Sequence, residues 1–137
     1  MIDILAAVIR YLKEDTDVAF QTSGRIYGSE IPAAETAEMP RKCLLIRDAG
    51  GREAADFVPL ASPRFDFFSY GATAYEAAEV DRALWEALHN LSREEANDTL
   101  LHSATISGGR LPWKEPATGW PGFVRSAVVQ AGTDGLS

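Results

Sequence analysis

Residues 63–91, PRFDFFSYGATAYEAAEVDRALWEALHNL, limit the fold more than any other stretch, because they encode one strand running into one helix. From Phe65 to Tyr70 four of six residues are aromatic, which suits an extended, pleated backbone. Gly71 interrupts that pattern. Thr73 then opens a helix with Glu76 three positions on, the reciprocal pair that satisfies two otherwise orphaned backbone N–H groups. At helical spacing Ala77, Val80, Leu84, Leu88 and Leu91 share one face, and Glu79, Arg82, Glu86 and Asn90 lie opposite. Burying the four large apolar side chains of that stripe would contribute roughly 6–12 kcal/mol, at about 1.5–3 each. This strand and helix are the expected core.

The flanking sequence adds fewer signals. Residues 3–14 predict a helix capped by Asp3, with Leu5, Val8, Ile9 and Leu12 on one face. Its polar side lacks the Lys/Arg band of a membrane-surface helix, so docking on a sheet is the favoured reading. From Thr16 to Pro40 glycine, proline and small polar residues predict an irregular arm over 16–40, with a short strand at Arg25–Tyr27. Cys43–Arg47 is a strand leading into a hairpin or loop at 48–56 that carries Arg52. After the main helix, Ser92–Glu95 repeats the capping pattern and predicts an extra helical turn. Strands are then expected at about 99–107 and 123–130, joined by a Gly/Pro/Trp loop over 108–122, with a frayed tail at 132–137.

The expected architecture is therefore a single α+β domain over 1–137. It has a small mixed sheet of about four strands, two main helices packed on one face, and long loop or hairpin arms. The strands at 43–47 and 65–70 are apolar on both faces, so the sheet must be covered twice. In the alternating run 100–107, Leu100, His102, Ala104 and Ile106 are expected to point one way.

Composition excludes some functions. Asp and Glu outnumber Lys and Arg by 20 to 13, a formal charge of −7, which argues against a nucleic-acid-binding surface. An acidic wall that DNA merely passes is still compatible. One cysteine permits no internal disulfide and fits a reducing compartment. No basic leader opens the chain, and no apolar run approaches a membrane span.

Catalytic signals are missing. The chain has no dinucleotide or P-loop glycine pattern, no HExxH, no CxxC and no GxSxG. Cys43 sits in an apolar strand with no hint of a base and is expected to be a core residue. His102 reads as a satisfied core or interface histidine. Asp81, at the edge of the helical stripe, is either a tuned acid or, more commonly, a partner for an arginine. No catalytic, metal or cofactor residue is therefore assigned. Trp113 and Trp120 are unexpected currency for a loop. Either they fold back as a lid over the core, or they anchor a protein contact flanked by Arg110 and Lys114. Tyr27 and Arg52, on the other two arms, complete the set of candidate interface residues.

The order of elements resembles the tail completion or tail terminator proteins of long-tailed phages and related gene transfer particles, the group with the lambda U-like fold. The resemblance rests on MIDILAAVIRYLKED, then GRIYGSEIP with a later MP, then FDFFSYGATAYEAAEVDRALWEAL and a closing two-strand unit. It implies a non-catalytic virion protein without cofactors, forming a homo-oligomeric ring, expectedly a hexamer, at the head-proximal end of the tail. It further implies assembly in the host cytoplasm, a tail tube protein and a head-completion or neck protein as partners, and DNA passing through the lumen, with no membrane. A head-to-tail adaptor, a small hydrolase or isomerase with a dispersed site, and a small binding module without catalysis are the alternatives.

Overall fold

The computed structural model describes residues 3–52, 60–96 and 99–132. Helix α1 (Ile4–Glu14) starts where Asp3 accepts a hydrogen bond from the Ala6 N–H at 3.0 Å. Asp15 ends it and at once caps α2 (Thr16–Thr22), accepting from the N–H groups of Asp17 and Val18 at 3.1 Å. A helix therefore occupies the start of the expected irregular arm. A three-residue strand β1 (Ile26–Gly28) and one short helical turn, α3 (Ala33–Thr36), fill most of the remainder.

Strands β2 (Cys43–Arg52) and β3 (Leu60–Tyr70) form an antiparallel pair. Helix α4 (Ala74–His89) follows, with Glu76 N–H donating to Thr73 Oγ1 at 3.2 Å and Ala72 N–H donating to Glu76 Oε1 at 3.1 Å. Gly71 is required at the junction: a Cβ there would lie 2.6 Å from the Ala77 nitrogen. The stripe Ala77, Val80, Leu84, Leu88 and Leu91 is buried throughout.

The chain closes with β4 (Glu94–Ala96), β5 (Thr99–Lys114) and β6 (Pro121–Gly132). The sheet order is β1-β2-β3-β6-β5-β4, parallel only at β1–β2. Among the described residues six strands and four helices replace the expected sheet of about four strands with two main helices, and three local features depart from the expected pattern. Arg93 takes a left-handed φ of 50°, which stops any helical turn at 92–95 and turns the chain into β4. Asp15 supplies a second N-cap inside what reads as a breaker-rich segment. Finally, the expected 108–122 loop is mostly strand, since β5 runs to Lys114 and β6 begins at Pro121. Its glycines make a bulge instead: Gly108 has a φ of +71°, and the register shifts between Ser107 and Leu111. The hairpin expected at 48–56 is strand through Arg52, and its remainder lies outside the described residues, as does most of the tail 132–137.

A second bulge, between Leu101 and Ser103, corrects the expected alternation. Leu101 joins Ala104 and Ile106 on the helix side, so Leu100 and Ile106 no longer share a face. Helices α1 and α4 lie on one side of the sheet, as expected, over Leu44, Ile46, Phe65, Phe67, Ala127 and Val129. The sheet curls into a half-barrel, and α1 touches both edge strands, β1 and β4. Tyr11 ties α1 to α4 by donating its hydroxyl to the Ala87 carbonyl at 2.7 Å.

The opposite side carries a second cluster: Cys43, Leu45, Phe68 and Tyr70. Tyr27, Ile31, Met39, Trp113, Trp120 and Val124 pack against it. Both apolar faces are thus covered, one by helices and the other by the arm around α3 and the outer half of the β5–β6 hairpin.

Candidate functional site

The outer half of the β5–β6 hairpin gathers four of the six candidate interface residues, and the register separates them by face. Trp113 pairs with Gly122 and turns to the second cluster, where its ring meets Phe68 edge-on with centroids 5.4 Å apart. Trp120 meets Tyr70 in the same way at 6.0 Å. These half-buried rings form the lid of the two readings left open by the sequence. Burial pushes the Tyr70 phenol up, with the Trp113 indole N–H working against that shift.

Arg110 sits on the other side of the ribbon. Its guanidinium lies 4.5 Å above the Phe123 ring and 3.6 Å from the Asp81 carboxylate. It therefore does not flank the tryptophans, contrary to the expected grouping. The bulge after Gly108 is what redirects it. Lys114 is exposed at the end of β5, opposite Pro121. Tyr27 is half-buried on β1 at the far margin of the same cluster, its phenol raised by burial and then by Glu35. The side chain of Arg52 lies outside the described residues.

The strongest electrostatic feature is one whose helix half alone was visible in the sequence. Asp81 on α4 is 1% exposed and accepts two hydrogen bonds from Arg125 on β6, at 2.9 Å from Nε and 2.8 Å from Nη2. Arg125 belongs to the inward row with Ala127, Val129 and Ala131, so a cation stands where the row is otherwise apolar. Strict alternation in RSAVVQA was the available signal, read together with a carboxylate at the margin of the helical stripe. The bidentate geometry satisfies both charges and pins α4 to the centre of the sheet.

The arm is thus held from both sides, by the Arg110–Asp81–Arg125 cluster on one and by two aromatic contacts on the other. Between these anchors Leu111 is 63% exposed. Trp85 and Phe20 are further exposed aromatics on α4 and α2, and Trp85 stacks on His89 at 4.8 Å.

Cys43 and His102 are the two sequence candidates with reactive chemistry. Cys43 is fully buried, and burial pushes its thiol up to about 12 against the opposing pull of Arg25 and Arg41. His102 is half-buried at the bulge of β5, and its buried Nε2 has no hydrogen-bond partner among the described residues, so it is not the satisfied histidine expected from the sequence. No group of three or more His, Cys, Asp or Glu among the described residues is arranged to hold a metal ion. No described helix is long and apolar enough to cross a membrane. The chain matches no known family model and no curated protein.

Burial of Cys43 and Tyr11 has a measurable consequence. The Tyr11 phenol is also raised to about 12, by burial first and then by Asp15 and Glu94. Both groups stay protonated in the folded chain and ionise more readily when it unfolds. Their contribution is full below the usual thiol value of 9.0 and is lost as pH rises toward 12. The unfolding free energy from urea denaturation is expected to fall from about pH 9 upward through Cys43, by up to about 1.4 kcal/mol per pH unit. From about pH 10 Tyr11 adds to the fall, by less because solvent screens the partly exposed phenol. Cys43→Ala should flatten the first part of that fall. An unchanged slope in the variant would mean that the thiol does not contribute.

Proposed function

We propose that this chain is a structural virion subunit, a tail terminator whose copies form a ring on the finished tail tube and present the surface to which the head docks. The residues quoted for the resemblance motivate the family, and the geometry of the hairpin arm is the observation that carries the reading. An arm fixed on both faces cannot move far, yet it displays Leu111 at its margin, next to the half-buried Trp113 and Trp120. Large apolar side chains kept exposed on a pre-organised element are the usual raw material of a protein contact. The partners proposed are further copies of this chain, expectedly six in a ring, together with the tail tube protein and a head-completion protein. In this reading DNA passes the acidic lumen without specific contacts, and the subunit acts by shape, with no catalysis and no cofactor.

Leu111→Asp tests this reading. The residue is exposed, so the variant should melt within about 0.5 kcal/mol of the parent. Assembly should fail, seen as absent rings in light scattering or as tails of uncontrolled length in electron micrographs of particles. A folded variant that still caps tails normally removes the arm from the contact.

A further inference from the structure

Residues 31–41 carry the chain from β1 back to the start of β2 and form a strap across the margin of the second cluster. Their inward row has a period of four: Ile31, Glu35 and Met39 are half-buried, while 32–34, 36–38 and Pro40 are exposed. Ile31 and Met39 pack against the cluster, and Met39 Sδ lies 3.7 Å from Cys43 Sγ. A carboxylate therefore stands between two apolar residues on the side that faces the sheet.

The strap is held differently from the strands beneath it. Its backbone hydrogen bonds close within it: Glu35 and Thr36 N–H donate to the Pro32 carbonyl, Glu38 to Glu35 and Met39 to Thr36. Bonds between β1 and β2 resume only outside it, where Ser29 N–H donates to the Ile46 carbonyl and Leu44 N–H to that of Arg25. Among the described residues Glu35 is its polar tie to the sheet, accepting from the Tyr27 hydroxyl on β1 while pairing with Arg41. Arg41 Nε is buried with no hydrogen-bond partner, so the closed strap holds back a donor that water would satisfy on opening.

A segment bonded mainly to itself can lift while the sheet beneath it stays paired. We propose that residues 31–41 open as a unit over Cys43, apart from global unfolding, with Glu35 on Tyr27 as the latch that keeps them closed. Opening breaks the Ile31 and Met39 contacts and the latch, and leaves the strand pairings of β1, β2 and β3 in place. The Glu35–Arg41 pair lies inside the strap and travels with it. Closed, the strap hides the apolar margin at Cys43; lifted, it gives the chain an apolar surface that the closed form does not show. This inference does not rest on the ring reading.

The chain's one cysteine makes the test direct. Labelling of Cys43 by an aromatic disulfide reagent is followed on the full chain as urea is raised, beside the global unfolding curve. Below the transition the rate should be nearly independent of urea, because lifting a short strap exposes little surface, and should steepen only near the midpoint. Tyr27→Phe and Glu35→Gln should each raise that plateau by roughly threefold or more. Leu84→Ala, a cavity in the helix-side core, should lower the urea midpoint and leave the plateau where it was. A rate that follows global unfolding at every urea concentration, or that rises with Leu84→Ala in step with the lost stability, overturns the opening. A plateau that neither Tyr27→Phe nor Glu35→Gln raises overturns the latch. If a variant fails to fold, the urea dependence of the unsubstituted chain still decides whether the strap opens.

Discussion

Asp81→Ala is expected to destabilise the protein by about 3–5 kcal/mol, because it strands the Arg125 guanidinium in the core without its counter-charge. Arg125 is 8% exposed and both of its hydrogen bonds to Asp81 are of good length. Arg110 lies 3.6 Å from the same carboxylate, so the loss leaves two cations facing each other. The effect should exceed that of an ordinary cavity of alanine size. It can be separated from packing by the double change Asp81→Leu, Arg125→Met, which removes both charges and retains volume. That pair should recover most of the loss in urea denaturation. If Asp81→Ala melts like the parent, or if the double variant is worse than either single change, the ion pair is not what secures α4 to β6.

The parts of this fold legible in the sequence are those where local chemistry and burial agree. Thr73–Glu76 and Asp3 cap helices as their types and spacings require, and the stripe from Ala77 to Leu91 is the core of α4. The two-sided apolar character of Phe65–Tyr70 correctly called for two covers. Legibility failed where one residue redirects the chain. Arg93 in a left-handed conformation makes a strand out of a capping-box pattern, and Gly108 turns a glycine-rich segment into a bulge inside a long hairpin. Pairing across the sheet was invisible for the same reason. Nothing local says that Arg125 will meet Asp81, 44 positions away, or that Trp113 will fall on Phe68. The candidate contacts were therefore named by type, while the bulge decided that Arg110 and the tryptophans occupy opposite faces.

The double change Trp113→Ala, Trp120→Ala is expected to cost about 3–5 kcal/mol, near the value of one fully buried aromatic, since each ring is only half-buried. Both rings lie edge-on to residues of β3, Trp113 on Phe68 and Trp120 on Tyr70, so their loss uncovers the second cluster. The helix side does not depend on them. Far-ultraviolet circular dichroism should keep its helical signal at low temperature, while the urea midpoint falls and a dye for exposed apolar surface binds. Trp113→Phe with Trp120→Phe should restore much of the loss, because an edge-on aromatic contact needs a ring and not an indole. This outcome would separate the roof from the contact: the tryptophans hold the arm down, and Leu111 at its margin meets the partner. A double alanine variant as stable as the parent would show that the rings do not roof the cluster. They would then return as anchors for the neighbouring subunit, with the loss appearing in assembly instead of in folding.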